Sequence, residues 1–414
     1  MSGERVAVQL GDVAVIQTGF PFKSSSYSDD PSGPKLLRGD NVAQGQVRWD
    51  GVKRWPPSET NGLEQYWLEQ GDVILAMDRP WIEAGLKYCV ITRDELPCLL
   101  VQRVARLRGQ ERLDTGFLKY VIGSLAFTQH VLAVQTGTAV PHISTKQIQS
   151  FKFDLPPLPE QRAIAATLGA LDDKIELNRR MNETLETMAR ALFRDWFVDF
   201  GPTRAKMAGA APYLAADLWS LFPDRLDDEG KPEGWNETTI GNALERLKVG
   251  RLYDQKSALL TGIVPILDQG KSGSIGFHNN EPNIRADAES RVCTFSNHTC
   301  VLRLIDFDFS TIQNVIPFRG KGISTEWLYY ASLGRQKFEE YRGHWPSFVE
   351  HKITAPPSKL ANVFCDIVAP MVNAISQNGR ESRTLAQTRD LLLPRLMSGE
   401  LRIAEAERML EEVA

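Results

Sequence analysis

Cysteine and histidine are scarce in this sequence, with five and six among 414 residues. Cys89, Cys98, Cys293, Cys300 and Cys365 are odd in number and show no CxxC spacing, which argues against a disulfide framework and against a zinc ribbon. Cys293, His298 and Cys300 lie close together but lack a fourth ligand nearby, so no metal site is expected there. No run approaches the roughly 18 apolar residues of a membrane span, and the opening MSGERVAVQLGD holds no apolar signal segment; a cytoplasmic protein with no membrane partner is expected. Charge of one sign is also missing. Lys and Arg number 48 against 52 Asp and Glu, a formal net charge of −4, which speaks against a uniformly basic nucleic-acid binder but leaves room for basic faces built by folding.

Catalytic signatures are missing too. Gly270-Lys271-Ser272 resembles the end of a phosphate-binding loop, yet GxxxxGK(S/T) requires Gly at 265, where Pro265 stands. The Pro-Pro pairs sit in Trp-Pro-Pro-Ser, Leu-Pro-Pro-Leu and Ala-Pro-Pro-Ser contexts, so the (N/D)PP(F/Y) motif of amino-methyltransferases does not occur. Neither do HExxH, GxSxG or an EF-hand loop. Glu350-His351-Lys352 has the ExK spacing of many nucleases without a preceding Pro-Asp, and reads as surface charge. No catalytic constellation, bound cofactor or metal is expected, and the chain reads as a non-enzyme.

What the sequence does hold is a duplication. Ile164, Leu171, Asn178, Leu185 and Leu192 recur every seven residues, with Leu168, Ile175, Asn182 and Ala189 between them. Two hundred positions later Phe364, Met371, Asn378, Leu385 and Leu392 repeat the register, with Val368, Ile375, Ser382 and Arg389 between them. Spacings of four and three define one apolar stripe on a helix, and a proline strip, 155–159 or 355–358, precedes each copy as a start signal. A helix of about 40 residues is roughly 60 Å long. Neither copy can bury its stripe alone, so the two are expected to pair as a coiled coil, with Asn178 and Asn378 fixing register at some cost in stability.

The intervening regions are mixed. In 1–154, Val6–Leu10 and Val13–Gln17 read as strands, as do Val73–Ala76, Cys89–Thr92 and Leu99–Leu107, with a helix at Phe117–Leu132. Gly201-Pro202 stops the first long helix, 201–234 is a connector, and Gly234-Trp235 opens a second mixed region. The two regions align loosely: Val101-Gln102-Arg103-Val104 with Ile312-Gln313-Asn314-Val315, the helix near Phe117 with Trp327–Gly334, and 138–143 with 343–348. The chain is thus expected to be a tandem module, each copy followed by a long helix.

A module that reads DNA needs Arg or Lys to face guanine and Asn or Gln to face adenine, with Ser and Thr as adaptable partners. The loops of the first region offer Lys23, Ser24, Arg38, Asn41, Arg79, Arg103 and Thr138. Those of the second offer Lys248, Arg251, Tyr253, Gln269, Lys271, Ser272, Asn314, His344 and Trp345. Gln102 and Gln313 rank lowest, because they lie in apolar strand-like runs, and His142 reads as a structural loop histidine.

Several motifs then carry a resemblance. They are Pro141-His142-Ile143, Leu155-Pro156-Pro157-Leu158-Pro159-Glu160-Gln161-Arg162, Phe193-Arg194-Asp195-Trp196-Phe197-Val198-Asp199-Phe200-Gly201-Pro202, Arg204-Ala205-Lys206, Leu221-Phe222-Pro223-Asp224, Pro232-Glu233-Gly234-Trp235 and Leu393-Pro394-Arg395-Leu396-Met397-Ser398-Gly399-Glu400-Leu401. In this order they resemble the specificity subunits of type I restriction-modification systems. The resemblance implies an α+β protein with two similar target-recognition domains, 1–154 and 235–354, separated by two long antiparallel helices, 155–200 and 355–414, that form a coiled-coil spacer, with 201–234 as connector. It implies that each domain binds half of a bipartite double-stranded DNA site. The helices would set the gap and, through Ile164, Leu171, Asn178, Leu185, Trp196, Phe197, Phe364, Met371, Asn378 and Leu385, hold the spacer and dock two modification subunits. Those partners would use S-adenosylmethionine, and restriction subunits would use ATP and Mg. A methyltransferase-only or phage-defence complex, or a coiled-coil scaffold without DNA, are the alternative readings. The second half departs from the pattern: Ala355-Pro356-Pro357-Ser358-Lys359-Leu360 replaces PPLxEQ, and Gly343-His344-Trp345-Pro346-Ser347 replaces the Gly-Thr-x-Val-Pro-His loop.

Overall fold

The two proline-led heptad stretches form helices of 40 and 41 residues, Leu158–Phe197 and Ser358–Ser398, in the computed structural model, which describes residues 4–137, 139–270 and 273–411. Two units divide the chain, and the boundary passes through both helices. One unit comprises Met1–Glu176 with Ser382–Ala414; the other comprises Leu177–Glu381.

In the first unit Val73-Ile74-Leu75-Ala76 is a wholly buried strand, as an uninterrupted apolar run bounded by Gly71-Asp72 should be. It lies inside an antiparallel sheet ordered Ala14–Thr18, Val104–Gly109, Val73–Ala76, Tyr88–Val90. A three-stranded sheet, Lys53–Arg54, Lys35–Leu37 and Cys98–Leu100, has its last pair parallel. Val6–Gln9 pairs with Lys152–Leu155 and closes the unit's ends together. Phe117, Leu118, Val121, Phe127 and Val131 are fully buried against this frame together with Ile164, Leu168, Leu392 and Leu396 from the long helices. At about 25 cal/mol per Å² of apolar area, such side chains each contribute roughly 2–3 kcal/mol.

The second unit repeats the order and pairing of these three sheets, while the hairpin Trp81–Ile82 with Gly85–Leu86 of the first has no counterpart among its described strands. Its four-stranded sheet runs Leu244–Arg246, Val315–Gly320, Val292–Ser296, Leu302–Ile305. Its three-stranded sheet runs Ser274–His278, Val264–Leu267, Ser310–Thr311, the last pair again parallel. Asn236–Thr239 pairs with Lys352–Ala355. The fold class expected from the sequence is therefore the one found, and the duplication extends through both modules.

Within each unit the long helices pair antiparallel. In the first, Arg389 donates to Asp172 at 2.8 Å, and the same carboxylate accepts from the Tyr120 hydroxyl at 2.9 Å and from Lys119. In the second, Asn178 donates to Glu381 at 2.7 Å, Asn378 donates to Asn182 at 2.9 Å, and Asn182 donates to the Ile375 carbonyl at 3.3 Å. Partner numbers rise on one helix as they fall on the other. Further along, Phe364 meets the rings of Phe193, Trp196, Phe197 and Tyr330 at centroid separations of 5.3–6.2 Å. An 18-residue window of Ser358–Ser398 reaches a mean hydropathy of 1.2, enough by length and composition to cross a membrane. Within that helix Leu360, Ala361, Phe364 and Val368 are buried in the second unit's core.

Several local expectations change. The helix expected over Phe117–Leu132 is two, Thr115–Gly123 and Leu125–Val134, bent by 63° where Ser124 leaves the helical region and its Oγ caps Phe127 N–H. The strand expected over Leu99–Leu107 is likewise two, split at Arg103 by a left-handed turn (φ +72°). Gly201-Pro202 both ends the long helix and starts a short one, Gly201–Met207, with Phe200 as a left-handed hinge (φ +55°).

The equivalence of 138–143 with 343–348 is corrected as well. Leu10 N–H bonds the Phe151 carbonyl and Ile240 N–H bonds the His351 carbonyl, while Gly11 lies against Gln149 and Gly241 against Val349. The true offset is 200, so Phe348 takes the place of Ile148 and Pro346 sits inside the helix Trp345–Glu350. Proline is tolerated in that first turn because no intrahelical donor is lost there.

The departure at 355–361 has a packing cause. Gln161, fully buried, accepts from Asp114 N–H at 2.9 Å and donates to the carbonyls of Arg112 and Pro156. These bonds satisfy a turn between Gly109 and Thr115 whose counterpart, between Gly320 and Thr325, is one residue shorter. Leu360 and Ala361 fill the corresponding place with apolar contact.

Candidate nucleic-acid interface

Four turns of the first unit converge on one rim. The turn after strand Lys35–Leu37 is shaped by Asn41, which is buried; its Oδ1 accepts from Arg38 N–H at 3.1 Å and its Nδ2 donates to the Arg48 carbonyl at 2.8 Å. Arg38 pairs with Asp40, and the Lys87 ammonium donates to the Gly39 carbonyl. The chain leaving strand Val73–Ala76 turns at Arg79 (φ +45°), whose N–H bonds the Pro141 carbonyl. Met77 N–H bonds the Arg103 carbonyl at 2.9 Å. Arg103 lies 3.9 Å from Asp78. Arg38, Arg79, Lys87 and Arg103 thus face two carboxylates, Asp40 and Asp78, leaving the rim cationic. Burial and the neighbouring Arg79 lower the pKa of Lys87, against the opposing pull of Asp40 and Asp78. Two non-glycine residues in the left-handed region on one rim is the kind of backbone strain that gathers at functional sites. The loop beside them is closed by reciprocal Thr136 and His142 backbone bonds, with the His142 ring on the Thr136 hydroxyl.

The second unit builds its rim from the equivalent turns. Asn297 takes the place of Met77: its N–H bonds the Asn314 carbonyl at 2.8 Å, its carbonyl accepts from His344 N–H, and its Oδ1 accepts from Trp345 N–H, both at 2.8 Å. Gln269 braces the neighbouring hairpin by accepting from His298 N–H, and Arg303 donates to the Asp268 and Gly270 carbonyls. A groove of about 780 Å³ is lined by Arg246, Lys248, Asn297, Gln313, Asn314 and Trp345 among others. A second depression of about 570 Å³ shares Gln313 and Asn314 and adds Tyr253 and Gln269. The guanidinium of Arg251 lies 5.1 Å over the Tyr253 ring, which stacks on His278 at 4.1 Å and 7°. His278 Nδ1 accepts from Asn280 N–H, so Nε2 carries the proton and donates to Ser310 Oγ at 2.8 Å. Burial and the nearby Arg251 cation lower its pKa and keep the ring neutral.

The structure therefore gathers Arg38, Arg79 and Arg103 in one unit and Lys248, Tyr253, Gln269, Asn314 and Trp345 in the other. Lys23 and Ser24 stand exposed on a separate short turn, Ser24–Ser26. Asn41 and His344 are buried and spend their polar atoms on the protein; His344 Nε2 contacts the Glu340 carbonyl and Nδ1 the Gln336 amide, so both shape turns and present no free edge. Thr138, Lys271 and Ser272 lie outside the described residues. Ile164, Leu171, Asn178, Trp196, Phe197, Phe364 and Asn378 are buried within the chain, with Leu185, Met371 and Leu385 partly so. They hold the helices together, which leaves the outer faces to meet anything else. Cys293 is buried with its thiol on the Thr325 carbonyl, while His298 stacks on Tyr341; among the described residues no cluster of three or more His, Cys, Asp or Glu could hold a metal.

Some residues escaped the sequence reading. Lys87 gave no signal, because it lies far in sequence from the turn it braces. Lys256 is the counterpart of Lys23, each three residues past the bridges Tyr253–Ile312 and Phe20–Val101. Gln102 and Gln313, ranked lowest from their apolar neighbours, are both exposed in matching turns.

A duplicated α+β binding module on a helical frame is what the fold and its two rims define. Residues 4–187 match the type I restriction modification DNA specificity domain, and the chain is similar over that stretch to specificity subunits of type I restriction enzymes. It is 35% identical over 180 residues to the specificity subunit of the type I restriction enzyme MjaVIII of Methanocaldococcus jannaschii, a match covering 43% of this chain and 42% of that one. It is 33% identical over 180 residues to the EcoAI specificity subunit of Escherichia coli, covering 43% and 30% respectively. The matched region thus spans less than half the length of these curated relatives. The crystal structure of the type I restriction-modification S subunit from M. genitalium shares the fold, with a TM-score of 0.55, 15% identity, and coverage of 95% of this chain and 96% of that one.

Proposed function

We propose that the chain is the DNA-reading subunit of a type I restriction-modification complex, each module binding one half of a bipartite, asymmetric double-stranded site. The observation that carries this reading is the matched pair of rims: two modules of one topology present equivalent turns whose side chains differ, as two unlike half-sites require. Cations such as Lys23, Arg79, Lys248 and Lys256 contact phosphates, and polar turn residues read base edges. The long helices, which run through both units, fix the unread interval. Their outward faces dock two modification subunits, and restriction subunits join that assembly. Chemistry resides in those partners, with S-adenosylmethionine for adenine methylation and ATP and Mg for restriction, and the complex works on DNA in the cytoplasm. The test is a methylome: expressing the chain with its modification subunit in a methylation-free host and mapping modified adenines yields a two-part motif with a fixed gap. Methylation at a continuous motif, or none above background, removes the reading.

A further inference from the structure

The turns Gln102-Arg103 and Gln313-Asn314 are one structural element in two copies carrying different second residues. Arg103 and Asn314 both adopt the left-handed region, at φ +72° and +68°. Each offers its carbonyl to the residue that follows the central strand, Met77 or Asn297. Each turn is entered through the same bond to the neighbouring parallel strand, Val101 N–H to the Leu37 carbonyl or Ile312 N–H to the Leu267 carbonyl. The backbone frame is therefore common, and the glutamine is common. What differs is the chemistry presented. Arg103 is exposed on the rim that carries Arg38, Arg79 and Lys87, and its guanidinium lies 3.9 Å from Asp78. Asn314 sits in a groove with Gln313 and Asn297. Among the described residues, the side-chain amides of Gln102, Gln313 and Asn314 have no hydrogen-bond partner.

An unpartnered amide in a groove offers one donor and one acceptor side by side, the complement of adenine N7 and N6; an arginine fork complements guanine O6 and N7. We infer that this single position sets base identity in the two halves: Arg103 reads a guanine, Asn314 reads an adenine, and the shared Gln102 and Gln313 contact the adjoining step. The inference rests on the DNA-reading function proposed above.

The test uses the full chain to select from a randomised duplex library, alongside Asn314→Arg and Arg103→Asn. Arginine already occupies this left-handed site in the other unit, so Asn314→Arg keeps a backbone the fold accepts. Asn314→Arg is expected to change one adenine to guanine in one half-site and nothing in the other; Arg103→Asn is expected to do the reverse in the opposite half. Independently of the variants, 7-deazaadenine or 7-deazaguanine at those positions removes the N7 acceptor and is expected to weaken wild-type binding roughly ten- to a hundredfold. A wild-type motif that is indifferent to both substitutions and to both deaza bases overturns this inference and leaves the DNA-reading function standing. No enriched motif at all overturns both.

Discussion

Asn378 donates its side-chain amide to Asn182 Oδ1 at 2.9 Å in the interior of the helix pair of the second unit. Asn182 passes the bond on to the Ile375 carbonyl, and Asn178 bonds Glu381. A ladder of amides in an otherwise apolar seam sets which turn faces which, since a slip by one turn would bury each amide against carbon. Asn378→Leu is expected to cost about 1–2 kcal/mol by leaving Asn182 without its donor, whereas the double change Asn182→Leu with Asn378→Leu is expected to recover most of that loss. Urea unfolding of the four proteins measures the coupling, and additive losses would contradict it.

Phe364 touches four aromatic rings of the second unit, so its removal leaves a void that rigid neighbours cannot close. Phe364→Ala is expected to lower stability by about 3–5 kcal/mol, and Phe364→Leu by roughly half of that. Calorimetry of the full chain is expected to place the loss in a transition of the second unit.

Acid should weaken the helix pair of the first unit. Burial pushes the Asp172 carboxyl up, yet Lys119, Arg389 and the Tyr120 hydroxyl together hold it below the ordinary aspartate value of 3.8. A depressed carboxyl contributes stability above its unfolded value and loses it as pH falls through the folded one, so this contribution is full at neutral pH and disappears only below pH 3.8. Asp172→Asn is expected to cost about 2 kcal/mol at neutral pH, because Lys119 and Arg389 are left without their anion. Its unfolding midpoint should approach that of the wild type in strong acid; a gap of constant size across pH would refute the assignment.

Lys23 and Lys256 occupy matching exposed turns. If both neutralise phosphates, Lys23→Ala and Lys256→Ala are each expected to reduce the slope of log affinity against log salt by about one, without changing the motif selected. A change of motif with the slope intact would move these residues from phosphate to base contact.

Insertion of four residues, about one helical turn, into both long helices is expected to lengthen the methylated motif's gap by a small number of base pairs. Exchange of residues 1–154 for another module is expected to alter one half-site only. Methylome mapping reads both outcomes, and an unchanged gap or a change in both halves would count against the ruler and the modules respectively.

Much of this architecture was legible in the amino-acid order because it is periodic. The heptad stripes, the proline strips before them and the matched asparagines need only helical geometry to be understood, and the two helices begin within two residues of where the prolines place them. Strand Val73–Ala76 was equally plain, as a short apolar run between turn residues. The rims were not. Asn41 and His344 have the composition of surface readers but are buried, since only the folded turn shows that their polar atoms are spent on backbone groups. Gln102 and Gln313 have the neighbours of core residues but are exposed, since a left-handed residue after each reverses the chain.

Local spacing along the chain is enough to establish the duplication, the paired helices and the existence of two modules, because periodicity and turn chemistry act between near neighbours. Tertiary structure alone decides which loops share a rim and which donors remain free, because strands far apart in sequence must first pair before Lys87 can reach Gly39 or Asn297 can hold Asn314 and Trp345 together.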